Sequence, residues 1–119
     1  MCEKYIQDGK VAILVSRGFG AGWSTWEGKE LAYDKRVVEF WLSHKDDKEY
    51  LRQLDAFEKN EIKKNASKLF KSWGYNDVYF GGFADIELVW IPVGTPFVIT
   101  EYDGAESIET ISSIKWTTA

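Results

Sequence analysis

The run Arg17-Gly18-Phe19-Gly20-Ala21-Gly22-Trp23-Ser24-Thr25-Trp26 sets alternating glycines between a cation, large aromatic rings and two hydroxyls. Glycine permits positive φ and lets another molecule come close to the main chain, and successive free N–H groups form a nest for an anion. Arg17 carries a guanidinium suited to bidentate pairing with phosphate or carboxylate, while Phe19, Trp23 and Trp26 offer faces on which a planar group can stack. Ser24 and Thr25 supply hydrogen bonds to polar edges. The chemistry of this run is therefore recognition of a flat, anionic small molecule. It is not a Walker loop, which ends Gly-Lys-Ser/Thr, nor a G-x-G-x-x-G dinucleotide fingerprint. The competing reading is a close-packed turn whose tryptophans plug the core beneath the helices.

A second segment, Tyr79-Phe80-Gly81-Gly82-Phe83-Ala84-Asp85, repeats that chemistry. Phe80, Gly81, Gly82 and Asp85 would form the opposite wall of one pocket if the fold brings the segments together. Otherwise they make a bulge or a tight entry into a strand. Glu101, Asp103 and Glu106 surround an Asp-Gly turn; carboxylates so placed can transfer protons or hold a hard cation, but Asp-Gly is also plain turn chemistry and surface glutamates serve solubility. His44 is the sole histidine, which rules out a multi-histidine metal site, and its place near a helix end suits the helix dipole. As nucleophiles, Ser24 and Thr25 would need a base that the spacing does not supply. The reading favours a non-enzymatic protein while leaving catalysis open, and assigns no cofactor and no metal; a small hydrolase using Glu101, Asp103 or His44 ranks last.

Asp8-Gly9 between the apolar-rich segments Glu3–Gln7 and Lys10–Ser16 signals a hairpin. Val11 to Val15 is almost continuously apolar, which predicts a strand covered on both faces. The glycine-aromatic run thus leaves the end of a buried strand, a rigid support that favours a binding loop. Asp34 is suited to cap a helix whose stripe is Val37, Val38, Trp41 and Leu42, closing at His44 and Lys45. A second, longer helix is expected from Asp46-Asp47 through Tyr50, Leu51, Leu54, Phe57, Ile62, Ala66, Leu69, Phe70 and Trp73, ending at Gly74. Strands follow at Ile86 to Ile91, Phe97 to Tyr102 and from Ser107 to Ile111 or Trp116, with Asp103-Gly104 as a second hairpin turn. The order β-β-α-α-β-β-β predicts an α+β fold, with a mostly antiparallel sheet of about five strands and two helices on one face.

The chain's 119 residues suit a single domain, 1–119. Its one cysteine, Cys2, can form no intrachain disulfide, and the expected setting is a soluble protein of the cytoplasm with neither leader nor membrane span. A net charge of −4 opposes non-specific adhesion to nucleic acid or anionic membrane. Lys59, Lys63, Lys64, Lys68 and Lys71 all fall on the second expected helix and read as a solvated face.

Val15-Ser16-Arg17-Gly18-Phe19-Gly20-Ala21-Gly22-Trp23-Ser24-Thr25-Trp26, with Gly81-Gly82, Asp85-Ile86-Glu87, Trp90, Pro92, Gly94-Thr95, Phe97 and Glu101-Tyr102-Asp103-Gly104, resembles a group of small, mostly uncharacterised proteins of tailed bacteriophages and prophages. The likeness spans nearly the whole chain and brings a setting rather than a mechanism. Small accessory phage proteins of this kind include inhibitors of host defence that trap nucleotide signals, an analogy of setting and size. The leading expectation is a non-enzymatic phage accessory protein that binds a small anionic, nucleotide-like ligand in the host cytoplasm and removes a host signal. In it Arg17 and the loop amides hold phosphate, and sheet edges with many aromatics favour a homo-oligomer. The alternative is an acidic protein that inhibits a host enzyme or nucleic-acid-binding protein by direct contact.

Overall fold

Asp8 and Gly9 both take positive φ, at 52° and 73°, as a two-residue hairpin turn between antiparallel strands requires. The computed structural model describes residues 3–17, 29–56, 58–76, 78, 80, 83–102 and 105–110. Around this turn, β1 (Ile6–Gln7) pairs with β2 (Lys10–Ser16), Ile6 opposite Val11. Regular pairing along β1 is shorter than the apolar segment, because the chain before it turns to another partner. Lys4 bridges Asp34, and the Lys35 N–H donates to the Glu3 carbonyl at 2.7 Å.

β2 is the central element. On its other side it pairs antiparallel with β3 (Ile86–Pro92), from Lys10 opposite Pro92 to Ser16 opposite Ile86. Alternate side chains leave opposite faces of a strand, and both faces of β2 are covered. Ala12 and Leu14 join the larger core, with Val37, Leu54, Phe70, Phe80 and Phe83. Val11, Ile13 and Val15 face a second core with Ala32, Ile91 and Ile99. That second core is closed by a separate two-stranded sheet, β4 (Phe97–Tyr102) and β5 (Ala105–Thr110), with Ile99 opposite Ile108. The five strands among the described residues therefore form two antiparallel sheets. The layers run helices, β1-β2-β3, then β4-β5, and the continuous apolar run of β2 is the consequence of lying between them.

Three helices make the first layer. α1 (Lys35–His44) begins at Asp34, whose carboxylate accepts from the Arg36 amide at 3.0 Å. α2 (Lys48–Asp55) begins at Asp47, which accepts from the Tyr50 amide at 3.1 Å. α3 (Glu61–Ser72) ends in a Schellman motif: Gly74 has φ 98°, its N–H bonds the Lys71 carbonyl, and the Tyr75 N–H bonds that of Phe70.

The single long helix expected from Asp47 to Trp73 is thus divided, and Asn60 divides it. Its Nδ2 donates to the Gln53 carbonyl at 2.8 Å near the end of α2, while its Oδ1 accepts from the Lys63 amide at 2.8 Å at the start of α3. The Lys63 ammonium reaches the Ala56 carbonyl. One carboxamide satisfies orphan groups of two helices, which an uninterrupted helix would not leave exposed. Phe57, expected on the apolar stripe, lies outside the described residues, and Leu69 is exposed. Asn60→Ala removes both bonds and is expected to cost about 1–2 kcal/mol, read as a lower urea midpoint at unchanged m; Asn60→Asp keeps the acceptor and should recover part of the loss.

Asp34 is a polar tie within the helix layer. Its carboxylate is buried, receives Arg36 Nη2 at 2.8 Å and Nε at 3.2 Å, and accepts the Tyr75 hydroxyl at 2.6 Å. The Arg36 guanidinium in turn lies over the Trp73 ring at 5.5 Å. The start of α1 is thereby fastened to the end of α3.

Candidate functional site

Three of the candidate ligand residues, Arg17, Phe80 and Asp85, lie among the described residues. Gly18, Phe19, Gly20, Gly22, Trp23, Ser24, Thr25, Trp26, Gly81 and Gly82 lie outside them. What the fold does describe is where the two glycine-aromatic segments are anchored. The Ser16–Ile86 pair closes the β2–β3 ladder, and one step further the Arg17 N–H donates to the Asp85 carbonyl at 3.3 Å. One segment leaves the sheet at Arg17; the other returns to it through the short 3-10 turn Phe83–Asp85. Both are tied to the same end of the sheet.

The Arg17 side chain is half-exposed, and its Nε donates to Glu87 Oε2 at 3.1 Å, with the Glu87 side chain 63% exposed. Phe80 is placed differently from an open pocket wall. It is 2% exposed and packs edge-on against Phe70 and Phe83, with ring centroids 5.2 and 6.0 Å away. Asp85 is exposed and contributes its backbone carbonyl to the anchor.

Glu106 was legible only as one of the hairpin carboxylates, yet it is buried, at 2% exposure. Its Oε1 accepts from the Ser16 amide at 3.0 Å. Strand geometry explains why a side chain is needed there. The Ala12 N–H donates to Tyr5 on the β1 side at 2.9 Å, and alternation turns the Ser16 N–H the same way, beyond the reach of β1. A buried amide left without an acceptor would cost about 1–3 kcal/mol. Glu106 also ties the second sheet to the root of the glycine-aromatic segment. Of its companions, Glu101 is its cross-strand neighbour in register, and Asp103 lies outside the described residues. No sequence signal separates Glu106 from a surface glutamate, since its neighbours Ser107 and Glu109 are polar as well.

His44 ends α1 and stacks on Tyr50, ring centroids 3.8 Å apart and planes 9° from parallel. Burial, and then the Asp47 carboxylate, push the Tyr50 hydroxyl up from its ordinary range. The pair staples α1 to α2 through an aromatic contact, with Phe40 beside both rings. Among the described residues, no three His, Cys, Asp or Glu side chains group so as to hold a metal, and no helix is long and apolar enough to cross a membrane.

A hollow of about 710 Å³ runs along the first half of α3, with Lys59, Glu61, Lys63, Lys64, Val78 and Phe80 among its lining. A second, about 550 Å³, lies along α2 and takes in Ala84.

The class defined by this geometry is an α+β domain of three layers, with a buried central strand whose end anchors two glycine-aromatic segments. Comparison with protein-family models, with curated proteins and with solved structures found no match for this chain.

Proposed function

We propose that this chain is a non-enzymatic accessory protein that holds a small anionic, nucleotide-like ligand at the Arg17 end of the central sheet. The observation that carries the reading is the shared anchor: the Ser16–Ile86 pair and the Arg17–Asp85 hydrogen bond hold the first residue of one glycine-aromatic segment beside the last residue of the other. Segments held by a buried strand start from a rigid base, and ordering them around a ligand then costs less. The bacteriophage setting rests on the sequence resemblance; in it, the protein would withdraw a host signal in the host cytoplasm.

The Arg17–Glu87 pair must be reconciled with anion binding, and magnitudes decide the matter. Both side chains are substantially exposed, at 44% and 63%, where such a pair is worth about 0–1 kcal/mol. Charge-assisted hydrogen bonds from a guanidinium to phosphate are worth about 1.5–3 kcal/mol. A phosphate therefore displaces Glu87, which stays close by as a repelling charge. Arg17→Ala is expected to weaken binding by roughly 10–100-fold, and Glu87→Gln to tighten it by a few fold.

Native mass spectrometry of protein purified from bacterial cells, with released small molecules identified, tests this directly. Wild type should carry an anionic metabolite that Arg17→Ala loses and Glu87→Gln retains. A ligand retained equally by all three would remove Arg17 from the site, and a cationic or neutral ligand would overturn the anionic class. The same spectra read the homo-oligomer that belongs to this proposal; among the described strands β3 pairs on one side only, leaving an edge for a second copy.

A further inference from the structure

We infer that the lysine-lined groove of α3 is a docking surface for an acidic, leucine-bearing segment of a partner protein. Lys59, Lys63, Lys64, Lys68 and Lys71 lie within thirteen residues with Glu61 as the only acid, giving that stretch a charge of +4. The remainder of the chain, whose total is −4, therefore carries −8. None of the five lysines forms an ion pair among the described residues, and of the five Lys63 alone reaches a carbonyl, that of Ala56. On α3 itself Lys64–Lys68 are spaced i,i+4 and Lys68–Lys71 i,i+3, and such like-charged neighbours on a helix face repel. An acidic chain that wanted only a solvated helix could have placed glutamates between them.

The shape of the patch selects the partner. Lys59, Lys63 and Lys64 border the hollow of about 710 Å³, and its floor is apolar, made by half-buried Val78 with the buried Phe80 beneath. Lys68 continues the cationic row one turn beyond Lys64. From Glu61 to Lys71 the helix rises about 15 Å, the reach of roughly four or five extended residues, and Lys59 lies just before it. A nucleotide needs less length and more enclosure than this open groove provides. Beyond a Debye length of about 8 Å at physiological salt, the −8 remainder is screened for a short peptide docked on the patch, while a longer polyanion runs onto it. Alternating carboxylates and leucines meet both the lysines and the floor. This surface shares Phe80 with the candidate ligand residues, but its lysines lie apart from Arg17 and Glu87.

Fluorescence anisotropy with a labelled six-residue Glu-Leu repeat peptide tests the assignment. The matching Glu-Ser peptide and a six-nucleotide single-stranded DNA serve as competitors. Wild type should bind the Glu-Leu peptide with an affinity that falls with salt. Lys59→Gln/Lys64→Gln/Lys68→Gln should weaken it about tenfold, and the corresponding triple arginine variant should retain it. Any of four results would overturn the inference: no binding at low salt, unchanged affinity in the triple glutamine variant with wild-type circular dichroism, equal binding of the Glu-Ser peptide, or tighter binding of the DNA.

Discussion

Asp34→Ala is expected to destabilise the fold by about 3–5 kcal/mol, a large part of the roughly 5–15 kcal/mol that holds a domain of this size together. Three losses combine at one site. The α1 N-terminus loses its cap, the Arg36 guanidinium loses its carboxylate partner, and the Tyr75 hydroxyl loses its acceptor. Because these groups share one carboxylate, the cost should fall short of the sum of three separate deletions. Asp34→Asn keeps an oxygen for the Arg36 amide and should cost less than half as much. Urea unfolding measures both, and an alanine variant within 1 kcal/mol of wild type, by the same measure, would show that the carboxylate is not the tie its geometry describes (about one-third or less of the expected effect).

The same residue carries a pH signature. Burial pushes the Asp34 carboxyl up, but hydrogen bonds from Arg36 and Tyr75 outweigh it and hold the group below its ordinary value. A carboxyl lowered on folding contributes stability that is complete above its unfolded pKa, about 3.9, and is lost as pH falls through the folded value. Stability should therefore decline on acidification below about pH 5, and Asp34→Asn should flatten that decline. An unchanged acid slope in the asparagine variant would assign the decline to other carboxylates.

Phe80→Ala is the second large effect, expected to cost about 3–5 kcal/mol through lost packing and the cavity left behind. Phe80 is almost fully buried and belongs to an edge-on aromatic cluster with Phe70 and Phe83, to which Phe40 and Trp73 also contribute. Phe80→Leu preserves much of the apolar volume and should recover about half of the loss. If Phe80 instead served chiefly as a ligand wall, alanine would leave the urea midpoint near wild type while weakening binding. The comparison separates the two roles of one residue by two different readouts.

Local features of the chain were legible wherever a short-range rule applies. Asp8-Gly9 is a hairpin turn because both positions need positive φ, Asp34 and Asp47 cap helices with their carboxylates, and Gly74 ends α3 in the left-handed region. The Phe97–Tyr102 strand has the bounds its apolar pattern predicts. The division of the long helix was less legible, although its agent is a single residue. Asn60 lies inside the span that the apolar stripe assigns to one helix, and the meeting of the Gln53 carbonyl and the Lys63 amide on its two ends makes it a junction.

Sequence by itself determined the α+β class, the Asp8-Gly9 hairpin turn, the helix caps and the burial of Val11 to Val15, because each depends on the backbone preferences and polarity of residues close in the chain. Tertiary structure alone decided that the strands form two sheets rather than one, that the glycine-aromatic segments share an anchor at Arg17 and Asp85, and that Glu106 is buried against the Ser16 amide. Ser16 and Glu106 are ninety positions apart. Contacts over such a separation depend on how whole layers stack, and no local pattern encodes that the reach of β1 stops short of the one amide a carboxylate must then satisfy.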